Sequence, residues 1–133
     1  MKEKARELEN NVYFWQKVDA LLLSSHIVID HPAGSHHRVY NNLVYPVDYG
    51  YLQDTFSVDQ SPIYCYRGSL KSATVTAMFV SADILKKDLM AKLLIGCTEE
   101  ETEAILKFVN STDFQKAILV RPGKDAPNWA ATE

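Results

Sequence analysis

The stretch that most constrains this chain runs from Val44 to Arg67, VYPVDYGYLQDTFSVDQSPIYCYR. It is dense in aromatic residues (Tyr45, Tyr49, Tyr51, Phe56, Tyr64 and Tyr66) and sets three acids, Asp48, Asp54 and Asp59, among them. Tyr49 to Leu52 and Ile63 to Arg67 read as strands, the aromatic and β-branched side chains suiting a pleated, half-buried surface. Gly50, between two tyrosines, suggests a bulge or a close backbone approach inside a strand. Pro46 and Pro62 mark turns or strand edges.

Shorter elements surround this block. Leu8, Val12, Trp15, Val18 and Leu22 recur at three- and four-residue steps, predicting a helix over 3–23 with one apolar stripe. Tyr13, Phe14 and Leu21 widen its apolar surface, which suits contact with another subunit. Ser24-Ser25 ends it, and Ile27-Val28-Ile29 is a short β-branched strand. Asp30 and the loop His31-Pro32-Ala33-Gly34-Ser35 follow.

After the central block, Lys71 to Val80 reads as a strand. Ser81-Ala82-Asp83 reads as a loop or a single helical turn with Ser81 as a candidate N-cap. Lys92 to Ile95 is the next strand. Thr98 and Glu101 have capping-box spacing, and Glu99 to Glu101 suit the positive end of a helix dipole, so a helix starts there with Ile105, Phe108 and Val109 inside. Ala117 to Val120 is a last strand, and 122–133 reads as a loose tail onto which Trp129 could dock. The pattern is a β-rich α+β chain.

Composition narrows the function classes. With 47% hydrophobic and 23% charged residues, the 133-residue chain suits one soluble domain, taken as 1–133. A net charge of −3 without a basic stripe argues against nucleic acid as the main partner. No apolar run approaches a membrane span, and the charged start MKEKARELENN is no secretory signal, which points to the cytoplasm. Cys65 and Cys97 fit buried, reduced thiols. His31, His36 and His37 lack a zinc spacing and read as exposed loop histidines; His36 or His37 as a phosphate ligand or an acid near neutral pH is a weaker alternative.

The central block also resembles a known signature. Tyr45-Pro46-Val47-Asp48-Tyr49-Gly50-Tyr51-Leu52 is similar to the Y-P-x-N-Y-G-[YF]-I motif of the soluble (family I) inorganic pyrophosphatases. Thr55 to Tyr64 falls without a gap on that family's T-L-x-x-D-G-D-P-x-D. The resemblance implies a small OB-like five-stranded barrel with helices outside, an oligomer, and magnesium-dependent hydrolysis of pyrophosphate to phosphate. It implies a catalytic role for Asp59 and Tyr49, with Asp59 also a metal ligand. It places Asp30 on a family glutamate, as a metal ligand or outer-shell group, and Arg38 on a phosphate-gripping lysine. Asp83 and Asp88 match the spacing of a second metal-binding acid pair, with Lys92 as a displaced phosphate-binding lysine. A rival alignment that fixes Lys92 on the family lysine loses both acids.

The departures bear on activity. Ser61 and Tyr64 replace two motif aspartates, Tyr40 replaces another acid, and Tyr40-Asn41-Asn42-Leu43 holds no counterpart of the family's loop arginine. Pyrophosphate hydrolysis depends on metal ions that neutralise phosphoryl charge and acidify a bound water. Such a site needs several carboxylates close together. A tyrosine hydroxyl, with a pKa near 10, is a poor neutral magnesium ligand. Asp48 or Asp54 could stand in for the lost acids. The expectation is therefore a pyrophosphatase-like homo-oligomer of weak or lost activity, binding Mg2+ or Mn2+ at fewer sites than the family or at none. The alternative is a non-catalytic phosphate-binding, regulatory or assembly module.

Overall fold

The computed structural model describes residues 10–123. Among these residues six strands form one mixed sheet: β1 (Ile27–His31), β2 (Asp48–Leu52), β3 (Ile63–Arg67), β4 (Val75–Asp83), β5 (Asp88–Ile95) and β6 (Gln115–Val120). Their order is β1-β2-β3-β5-β4-β6, with only the β3–β5 pair parallel. Among the described residues two helices accompany the sheet in this α+β fold, α1 (Val12–Leu23) and α2 (Glu99–Val109). The expected five-stranded barrel is here a six-stranded sheet. It stays open, because β6 adds beyond β4 and does not pair with β1. No helix among the described residues is long and apolar enough to cross a membrane.

Strand alternation sends side chains to two separate cores. Cys65, Met78, Leu93 and Ile95 pack against Trp15, Val18 and Leu22 of α1. Tyr66, Phe79 and Leu94 face the other way, onto Ile105 and Val109 of α2. A register shift between Val75 and Ala77 switches the parity of β4, so that Val75 meets the α1 core and Ala77 the α2 core. α1 is further tied to the sheet by Asp19, whose Oδ1 accepts from the Val75 N–H at 3.2 Å.

Asn11 caps the start of α1 by accepting from the Phe14 N–H, so the helix begins at Val12 and does not run unbroken from residue 3. The rest of that expectation, residues 3–9, lies outside the described residues, as does the tail from 124 with Trp129. The capping box on α2 is present in both directions, with Thr98 and Glu101 exchanging hydrogen bonds. The segment Ser81-Ala82-Asp83 is neither loop nor helix. It continues β4, pairs with Asp88-Leu89-Met90 of β5, and turns through 84–87 with Lys87 at φ 57°.

Gly50 is a close approach, as its setting suggests. A Cβ there would lie 1.8 Å from the Val28 carbonyl oxygen. Opposite it, the β1 register shifts between Ile29 and His31, leaving Asp30 as the extra, bulged residue. Bulges of this kind re-aim side chains, and this one sits beside the cleft described next.

Candidate functional site

A cleft opens on the α2 side of the sheet, because one parity of the β4–β5–β6 hairpins faces there. Asp83, Asp88, Met90, Lys92 and Gln115 share this face with Phe79 and Leu94. The β1 bulge adds Asp30 and His31, and the loop beyond adds Arg38. The cleft has two adjoining parts. One, of about 380 Å³, is lined by Asp30, His31, Arg38, Tyr49, Tyr64, Lys86, Asp88 and Lys92. The other, of about 340 Å³, has His37, Tyr40, Tyr45, Tyr66 and Phe108 on its walls. Tyr49, Lys86, Lys92 and Gln115 border both.

Lys92 is the pivot. Its Nζ donates to Tyr49 Oη at 2.9 Å and lies 5.0 Å from the Tyr49 ring centre and 5.5 Å from that of Tyr64. Those two rings are stacked at 5.9 Å and 8°. The ammonium thus rests on two aromatic faces, a favourable place for a cation short of water. Burial, reinforced by the charge of Lys86 and opposed by Asp88, pulls the Lys92 pKa from 10.5 down to about 8. At neutral pH the amine is still mostly protonated. Burial, with small contributions from Tyr45, Tyr64, Cys65 and Asp30, pushes the Tyr49 hydroxyl far up, so it stays a neutral phenol.

The His37 pKa is lowered first by burial and then by Lys86, His31 and Lys92. Its Nδ1 accepts from the Val39 and Tyr40 N–H groups at 3.1 and 3.2 Å, which fixes a neutral ring with the proton on Nε2. His31 and His37 are not exposed loop residues: both stack on Tyr45, at 4.8 and 6.0 Å, each at 12°. His36 is exposed, with Nδ1 2.7 Å from the Asn41 carbonyl oxygen.

The candidate site residues separate into two groups. Asp30, Arg38, Tyr49, Asp88 and Lys92 line one cavity. Asp83 borders the adjoining part, and its Oδ1 accepts from the Leu85 and Lys86 N–H groups, shaping the hairpin turn. Asp59 lines neither part. It is exposed in the 53–62 loop, and its Oδ1 accepts from Ser61 Oγ at 2.6 Å and Ser61 N at 3.2 Å, which holds its pKa down. Asp48 accepts from the Ala33 N–H at 2.9 Å and so anchors the neighbouring loop. Asp54 sits at a left-handed turn position, φ 61°.

These positions test whether magnesium fits. Among the described residues no group of three or more Asp, Glu, His or Cys side chains is placed to hold a metal ion. Of the four aspartates expected as ligands, Asp30 and Asp88 line one part of the cleft and Asp83 the other, whereas Asp59 lies outside both, and Tyr64 lines the cleft beside Asp30 and Asp88. Two carboxylates facing three cations and two phenols do not make the donor set of a multi-metal centre. Among the described residues, the donors present do not fit a multi-metal magnesium site.

Sequence reasoning missed Lys86, Gln115, His31 and Phe108 as cleft residues, and held His37 there only as a weaker alternative. The signal lay in the period-2 run Asp88-Met90-Lys92-Leu94, which aims Asp88 and Lys92 to the same face once β5 is recognised as starting at Asp88.

No protein-family model matches the chain, and no curated protein matches it in sequence. Among solved structures it is similar to an inorganic pyrophosphatase from Helicobacter pylori, with a TM-score of 0.57 and 14% identity over 77% of this chain and 86% of that one. It is also similar to an inorganic pyrophosphatase from Coxiella burnetii, with a TM-score of 0.51 and 12% identity over 70% of this chain and 81% of that one. At such identities the likeness is one of architecture: this α+β chain has the fold of the inorganic pyrophosphatases.

Proposed function

We propose that this chain is a divergent relative of the inorganic pyrophosphatases that binds phosphate or pyrophosphate in the cleft around Lys92, with hydrolysis slow or absent. The observation that carries this reading is the Lys92 ammonium, held on Tyr49 and Tyr64 and bordered by Arg38 and Lys86. Among the described residues, Lys92 makes no ion pair with a carboxylate. A lysine bears three donors, and Tyr49 takes one, which leaves N–H groups for an oxyanion. Arg38 adds a planar fork suited to phosphate oxygens. Tyr49 orients the amine and stays protonated, so its hydroxyl can also donate to a bound anion.

Efficient metal-assisted hydrolysis lacks comparable support, because Asp59 lies outside the cleft and, among the described residues, no three acids or histidines are grouped to hold an ion. Losing even a few kcal/mol of transition-state stabilisation costs on the order of 10² to 10⁴ in rate.

The test is phosphate release from pyrophosphate with millimolar magnesium or manganese, for the wild type and Asp59→Asn. Release at the level of the metal-and-buffer control, or slow release that Asp59→Asn leaves unchanged, supports the reading. Rapid turnover abolished by Asp59→Asn contradicts it.

A further inference from the structure

Aromatic rings as well as cations line the binding cleft. Beside the cationic part lies a chamber of about 340 Å³ whose walls carry His37, Tyr40, Tyr45, Tyr49, Tyr66 and Phe108. The rings form a connected set: His37 is 5.4 Å from Tyr40, Tyr45 is 5.4 Å from Tyr49 and 4.8 Å from Phe108, and Tyr49 is 4.7 Å from Tyr66. Thr112 and Gln115 bring polar groups to the same chamber. Pyrophosphate has no apolar part and would leave this space to water. Ligand sites usually combine an apolar, aromatic cavity with a few polar anchors, and both halves are present here.

We propose that the cleft takes a nucleoside mono- or diphosphate, its phosphate held by Arg38, Lys86 and Lys92 and its planar base seated in the aromatic chamber. This rests on the phosphate-binding reading above and extends it by naming the group that carries the phosphate. Lys86 and Lys92 border both parts, so one ligand can reach from the cations to the rings. The neutral His37 ring, fixed by its two backbone donors, offers a flat face without a charge penalty. Thr112 and Gln115 line the same chamber and can supply polar partners to the edge of a base. Stacking on aromatic side chains tolerates different bases, so the expected selectivity is for a base as such.

The experiment is isothermal titration calorimetry of the full chain at pH 7 without divalent ions, using ADP, pyrophosphate and ribose 5-phosphate as probes. ADP is expected to bind at least tenfold more tightly than either of the others. His37→Ala and Tyr40→Ala, as independent variants, are expected to bring the ADP-to-pyrophosphate affinity ratio towards one, and Lys92→Met to weaken all three probes. Pyrophosphate binding with no gain from ADP overturns this inference and leaves the phosphate-binding reading standing. A gain from ADP that survives both variants also overturns it. Failure of all three probes to bind overturns both readings.

Discussion

Lys92→Met separates binding from stability, because the two are expected to move in opposite directions. The substitution keeps an unbranched apolar stem on the Tyr49 and Tyr64 rings and removes the charge. A hydrogen bond between charged groups contributes about 1.5–3 kcal/mol, so pyrophosphate affinity should fall by roughly one to two orders of magnitude. Folding should gain. In the folded chain the Lys92 pKa drops from 10.5 to about 8, so burial disfavours the ammonium by on the order of 3 kcal/mol relative to the amine. Below pH 8 this lysine is charged both folded and unfolded, and the penalty is fully present. It is relieved as pH rises from about 8 towards 10.5, where the folded chain has already released the proton. Urea denaturation at pH 7 should show the Met variant more stable than wild type, with the gap closing by pH 10. Calorimetry should show wild-type affinity declining above pH 8 relative to the variant, whose profile carries only the ionisation of the ligand and the other groups. A variant that binds pyrophosphate as tightly as wild type, or that is less stable at pH 7 and pH 10 alike, refutes the reasoning.

Other perturbations test the frame around the cleft. Asp19→Ala leaves the buried Val75 N–H without its acceptor and should cost about 1–3 kcal/mol. Asp19→Asn keeps an oxygen there and removes a carboxylate whose pKa burial raises, so it should be neutral or stabilising at pH 7; urea midpoints of the two variants check this. Gly50→Ala drives a Cβ into the Val28 backbone and should cost about 3 kcal/mol or more, read as a loss of thermal stability. Gln60 stands at φ 73°, on the glycine position of the D-G-D-P motif; Gln60→Gly should raise stability by up to about 1 kcal/mol by relieving left-handed strain. α1 exposes Tyr13, Phe14, Leu21 and Leu23, and light scattering on a sizing column should report a homo-oligomer that Phe14→Glu with Leu21→Glu dissociates.

Much of this organisation was legible in the residues, and the exceptions have physical causes. The Tyr49–Leu52 and Ile63–Arg67 strands declared themselves through aromatic alternation, and α2 through its capping box. The β4–β5 hairpin did not. Its turn, Ile84-Leu85-Lys86-Lys87, contains no Gly, Pro, Asn or Asp, and the left-handed position falls to Lys87. With the turn hidden, Ser81 to Asp83 read as a loop, and the common face of Asp83, Asp88 and Lys92 went unseen. The bulge at Asp30 was similarly invisible, since it lies in how β1 pairs with β2, a partner distant in sequence. Arg38, Tyr49 and Lys92 were found through the motif resemblance and share one cavity. Asp59 was found the same way, but its carboxylate is satisfied by Ser61, the residue that replaced its acidic neighbour.

The measurement that tests the account most directly is titration of pyrophosphate into the wild-type chain in the presence of a metal chelator. A site built from Lys92, Arg38 and Lys86 carries its own positive charge, so saturable one-to-one binding is expected without any divalent ion. Binding that appears only when magnesium is supplied would place the positive charge on the metal and contradict the account.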